Sequence, residues 1–217
     1  FTMKKATASA CVVCLALSVL TGCNPLHGTA VSPPNEPETS AHPLNAESAR
    51  LSEDGQKAYE QGDYDKAIAL YTSALEKDEA NYAALAGRGV ALAMRGNGTG
   101  IQEDIRAGIG DIEKALYYAP DDTATFYNLA LAYKIDGRND EAIRWFQKVI
   151  DSDPSNTWSY YGIATIYGDM GDAEQAVVYL KKALELDSAN VRKAAETQTH
   201  FDKIRNNPAF RQLLYEE

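Results

Sequence analysis

GRNDEAIRWFQKVIDSDPSN, residues 137–156, and GDAEQAVVYLKKALELDSAN, residues 171–190, align without a gap at an offset of 34 residues. Gly137 pairs with Gly171, Ala142 with Ala176, Phe146 with Leu180 and Val149 with Ala183. GDYDKAIALYTSALEKDEAN, residues 62–81, carries the pattern a third time. Self-similarity at such a period signals a stack of small units rather than a chain with one central core. The units are helical: in TFYNLALAYKIDG, residues 125–137, Phe126, Leu129, Ala130 and Tyr133 recur at i, i+3, i+4 and i+7, the stripe of a helix packed on one face. One helix pair cannot bury that stripe, so neighbouring pairs must stack.

These residues resemble the tetratricopeptide repeat, which covers about residues 48–190 as four copies. The resemblance implies two antiparallel helices per repeat. Gly55, Gly89, Ala130 and Ala164 match the small site of the first helix, and Ala67, Ala142 and Ala176 the small site that opens the second. Tyr71, Ile112, Phe146 and Leu180 match the large site four residues on, followed by Ala74, Ala115, Val149 and Ala183 at a further small one. Pro120 and Pro154 end their helices, since proline lacks the amide donor and disfavours helix in the preceding residue. Glu79 and Ser188 replace that proline, and Asp54 and Arg88 stand where an apolar residue is usual.

The expected fold is therefore all-α: a right-handed superhelix of about four repeats, 48–81, 82–122, 123–156 and 157–190, closed by capping helices over 191–217. In the last segment Phe201, Ile204, Phe210, Leu213 and Leu214 are expected to cover the free face of the fourth repeat.

RGNGTGIQEDIRAGIGDIEKAL, residues 95–116, interrupts the period. Its alternate glycines do not form a phosphate loop, because a helical segment precedes them and no Gly-Lys-Ser/Thr follows. In repeat register Gly96 matches Gly62, Gly137 and Gly171 and reads as a helix stop. The insertion is seven residues long, close to two helical turns, so it preserves the buried face. The second helix of this repeat is expected to begin near Ile101, after a mobile turn at 97–100. Ile101 and Ile105 then either form a spur that contacts a partner or lie under a neighbouring element.

FTMKKATASACVVCLALSVLTGC, residues 1–23, has a basic start, an apolar run and a small-residue end, which reads as a secretory signal over 1–22. LTGC resembles the bacterial lipobox, which implies that Cys23 is lipidated and that the chain is anchored to the envelope, at the outer membrane if the cell is Gram-negative, given Asn24. Cys11 and Cys14 fall inside the signal, so no thiol remains in the folded part. Residues 23–47 hold five prolines and few large apolar residues, the composition of an extended tether. Without Lys4 and Lys5, the 21 basic residues become 19 against 31 acidic, a net charge of −12 that argues against nucleic-acid binding.

Tetratricopeptide arrays hold partner segments on the concave surface lined by first helices. Carried onto this chain, that surface comprises Ser52, Gln56, Ala86, Val90, Tyr127, Asn128, Leu131, Trp158, Tyr161 and Thr165. The resemblance implies a non-enzymatic, membrane-anchored scaffold for envelope proteins; the alternative is a lipoprotein that binds a small ligand or peptide in the aromatic groove. His27, His42 and His200 are too scattered for a metal site, no cofactor motif is present, and no triad of nucleophile and base is available.

Overall fold

The computed structural model describes residues 44–215. The signal, Cys23 and the tether up to residue 43 lie outside the described residues. Among the described residues, ten α-helices and one 3-10 helix follow one another. They are α1 (Ala46–Glu60), α2 (Tyr64–Lys77), α3 (Tyr82–Thr99), α4 (Gln102–Tyr118), α5 (Thr123–Ile135), α6 (Asn139–Ser152), α7 (Thr157–Met170), α8 (Ala173–Leu186) and α9 (Ser188–Thr197), then a 3-10 turn (Thr199–Ile204) and α10 (Pro208–Tyr215). The first eight form four antiparallel pairs stacked in chain order, the expected superhelix.

The local chemistry of each boundary is repeated. Asn45, Asn81, Asp122 and Asn156 cap α1, α3, α5 and α7 by accepting backbone N–H bonds of the first turn. Asp63 and Asp172 do the same for α2 and α8. Between the helices of each pair sits a glycine with φ between 75° and 82°: Gly62, Gly100, Gly137 and Gly171. Only glycine takes that backbone without strain, so these positions fix where the chain turns.

Packing follows the large and small sites of the repeat. Tyr71, Ile112, Phe146 and Leu180 are fully buried, as are Ala67, Ala142 and Ala176. The second repeat's counterpart of those alanines is Gly108, and there the two helix backbones meet. A methyl group at Gly108 would lie 2.3 Å from the Gly89 carbonyl oxygen.

The seven-residue insertion departs from expectation in an informative way. Gly96 does not stop α3; the helix continues through Asn97 and Gly98 to Thr99, and Gly100 makes the turn. The expected mobile turn at 97–100 is thus mostly helix. Gly96 is small for another reason: a methyl group there would lie 2.7 Å from the Ile101 carbonyl oxygen and 2.8 Å from the Ile105 side chain. Both helices of the pair are longer, so α3 supplies the cover that α4 needs.

Four polar pairs hold this longer hairpin together and tie it to its neighbours. Arg95 forks onto both carboxylate oxygens of Asp104 at 2.8 and 3.0 Å and reaches Asp65 on α2 at 2.9 Å. Gln102 donates to Asp136 at the end of α5. Arg88, at a position usually apolar, forks onto Asp111 at 2.6 and 2.9 Å. Ile105 is accordingly 5% exposed, which removes it from any spur, whereas Ile101 is 46% exposed. Ile101→Asp is expected to leave stability within about 0.5 kcal/mol, and Ile105→Val to cost about 1 kcal/mol; urea titration of each variant measures the difference.

At the C-terminal end Asp187 closes α8 and caps α9 with its own carboxylate, so no proline is needed at Ser188. The 3-10 turn then folds onto α7: Phe201 presses on Gly168, where a methyl group would lie 2.7 Å from its ring, and meets Phe210 in a tilted pair with centroids 5.2 Å apart. Phe201, Ile204, Phe210 and Leu214 are buried and Leu213 half-buried, which is the cap expected from the sequence.

Candidate binding groove

Ala49, Ala83, Ala124 and Trp158 hold the same repeat position, one on each first helix, and all four line one of two cavities. Both cavities therefore open on the same face of the stack. The larger, about 420 Å³, lies between the N-terminal halves of α5 and α7 and is lined by Thr123, Ala124, Tyr127, Asn128, Asn156 and Trp158. The smaller, about 320 Å³, lies between α1 and α3 and is lined by Leu44, Ala49, Ser52, Glu53, Gln56, Tyr71, Asn81 and Ala83.

The larger cavity is built from aromatic walls and amides. Trp158 is 43% exposed and meets Tyr161 edge-on at 5.5 Å; Tyr127 meets Phe146 edge-on at 5.5 Å. These contacts fix both rings from behind while leaving a face toward the cavity. Asn156 is committed to capping α7, but Asn128 has no hydrogen-bond partner among the described residues. Its amide offers a donor and an acceptor beside two aromatic rings, the combination that orients a peptide group. Burial raises the Tyr127 phenol above its ordinary pKa, so it stays neutral, and no charged side chain among the described residues lines this cavity.

The residues assigned to the groove from sequence separate into four sets. Tyr127, Asn128 and Trp158 come together in the larger cavity, and Gln56 with Ser52 in the smaller. Ala86, Val90, Tyr161 and Thr165 are buried and unavailable to a partner. Thr165 donates to the Gly162 carbonyl, and Tyr161 donates to Gln198 at 2.8 Å and packs on Phe201, so the C-terminal cap covers it. Leu131 is half-buried. Asn156 and Asn81 were not among the sequence candidates, although both immediately precede a first helix at equivalent positions and could have been found by that register. Glu53 was missed as well; it sits beside Ser52 at the position of Asn128.

Further along the groove, Lys134 is half-buried beneath the 3-10 turn. Its ammonium lies 3.4 Å from His200 Nε2, and His200 Nδ1 lies 2.7 Å from Asp169 Oδ2. A His200 proton on Nδ1 satisfies both contacts. Burial pushes the Lys134 pKa down to about 8, opposed by Asp169. The folded state thus binds this proton less tightly than the unfolded chain, and the resulting penalty, full at pH 7, is relieved as pH rises from about 8 toward 10.5. Lys134→Met is expected to be more stable than the parent at neutral pH, with the gap narrowing across that window; paired melting curves at several pH values check the sign.

The family described as "Tetratricopeptide repeat" matches residues 121–189 and, in a second form, residues 54–100, together more than half of the chain. With four stacked helix pairs and a groove on their first helices, the chain belongs to the tetratricopeptide-repeat family. Among solved structures it is similar to pilF of Pseudomonas aeruginosa, with 18% identity, 76% of this chain and 72% of that one covered, and a TM-score of 0.59. It is also similar to TTC0263, a thermophilic TPR protein of Thermus thermophilus (18% identity, 68% and 78% covered, TM-score 0.57). A crystal structure of MamA is a third (20%, 75% and 91%, 0.53). These likenesses concern the fold. No curated protein matches the chain.

Proposed function

We propose that this protein is a non-enzymatic adaptor, lipid-anchored through Cys23 in a bacterial envelope, that holds a segment of a partner protein in the groove of its first helices. The observation that carries the binding part is the cavity of about 420 Å³ between α5 and α7, where Tyr127 and Trp158 flank the amide of Asn128. Aromatic side chains fixed from behind and open in front are the usual anchors of a protein interface. The anchoring part rests on the sequence, LTGC behind a basic and apolar leader. With α1 capped by Asn45, a tether over 24–43 of about 20 residues would span roughly 25 Å as a flexible coil and roughly 62 Å as polyproline, enough to lift the stack clear of a lipid surface.

Affinity capture from the native envelope tests this reading. Trp158→Ala is expected to reduce capture of the partner at least about tenfold, as for an interface hot spot, with the circular dichroism spectrum unchanged. Cys23→Ser is expected to release the protein from the membrane fraction. Full capture by the Trp158→Ala variant would rule out the groove.

A further inference from the structure

The two cavities differ in charge, and that difference says what kind of segment fits them. The cavity between α5 and α7 is lined by aromatic, amide and small side chains. The cavity between α1 and α3 carries the Glu53 carboxylate on a floor that includes Leu44, Ala49 and Ala83. Gln56 sits between two partners there, accepting from the Tyr71 hydroxyl at 3.1 Å and donating to Glu60 at 3.0 Å, so Glu53 is the carboxylate that the cavity presents. Lys57 is drawn off to Asp54 at 2.9 Å. Lys134, farther along the groove, lies under the C-terminal cap beside His200, which in turn meets Asp169.

We propose that the groove takes a cationic, aromatic-bearing peptide segment of another protein, with a large apolar side chain in the Tyr127/Trp158 cavity and a lysine or arginine at Glu53. This rests on the groove reading above and adds the chemistry of the occupant. A lysine or arginine suits the smaller cavity because its methylene stem covers Leu44 and the alanines while its head meets the Glu53 carboxylate. The two cavities are two helix-to-helix steps apart, about 16–20 Å. At about 3.3 Å per extended residue, that separates the cation from the aromatic anchor by about five or six residues.

Charge also decides between occupants. Residues 24–43 of this chain contain Glu36 and Glu38 and no lysine or arginine, so its own tether has no permanent cation to offer Glu53. A second copy carries the same net charge of −10 and is repelled by this chain as a whole. A basic segment of a different protein is attracted to it.

Selection of a randomised dodecapeptide library on the immobilised full chain tests the proposal. The expected yield is peptides with a tryptophan, phenylalanine or leucine and a lysine or arginine about five or six positions away. For a selected peptide, Trp158→Ala is expected to weaken binding at least about tenfold. Glu53→Gln is expected to weaken it about two- to fivefold, the range of an exposed ion pair, with no effect on the same peptide after its cation is replaced by serine. If the selected peptides are acidic or carry no cation, the proposed chemistry is wrong while the groove stands. If Trp158→Ala binds them as well as the parent, or nothing is enriched, the groove reading and this one both fail.

Discussion

Gly108→Ala is expected to lower the stability of this protein by about 3 kcal/mol, the upper range for an inserted methylene in a tightly packed site, and the melting temperature by about 6–12 °C for a chain of this size. The cause is a backbone-to-backbone contact. The added methyl group falls 2.3 Å from the Gly89 carbonyl oxygen and 3.1 Å from the Ala93 amide nitrogen, neither of which can rotate away. The only relief is to part α3 from α4, and that loosens the buried seam of Ile105, Ile109 and Ile112 along its whole length. Gly110→Ala, two residues on, is the internal control. Nothing lies within 4 Å of its added methyl group, so removing a glycine from a helix interior stabilises by about 0.5–1 kcal/mol. Opposite signs at two glycines of one helix, read by thermal melting of the purified variants, separate close packing from helix propensity.

Phe201→Ala is expected to cost about 3–5 kcal/mol locally, as for a fully buried aromatic residue. Its ring is buried against Gly168, Tyr161 and Phe210, and its loss empties the space between α7 and α10. Because each unit of a repeat stack contacts only its neighbours, the damage stays at that end. Hydrogen exchange is expected to speed up in α7, α8 and the cap while α1 to α4 keep their protection. Unchanged protection of α7 and α8, or an equal loss from α1 onward, would contradict the role of the 3-10 turn as a local cap. The two variants thus probe different scales: Gly108 a seam inside the array, Phe201 its closing end.

Most of the helical architecture was legible in the residues. The 34-residue offset, the alternation of large and small sites and the apolar residues of the last segment are local or nearly local properties, and they placed the helix pairs and the cap. The groove was legible in part. Tyr127, Asn128 and Trp158 follow from register alone, yet Tyr161 and Thr165, read from the same register, are buried. Register says which way a side chain leaves its helix. It does not say what comes to rest over it, and Tyr161 is covered by Gln198 and Phe201, far downstream in the chain.

The insertion shows the same division. Its length of two turns was enough to know that the face of α4 would be preserved, because helical geometry is fixed by the backbone. Where α3 would stop was not, because Gly96 and Gly100 are equally able to turn a chain. Only the packing of Ile105 and the Ile101 carbonyl against Gly96 keeps that residue helical and moves the turn to Gly100. By itself the sequence determined the repeat, the helix pairs and the face each helix presents, all consequences of periodicity along the chain. Tertiary structure alone decided which of those faces remain open, since exposure depends on contacts between residues far apart in sequence.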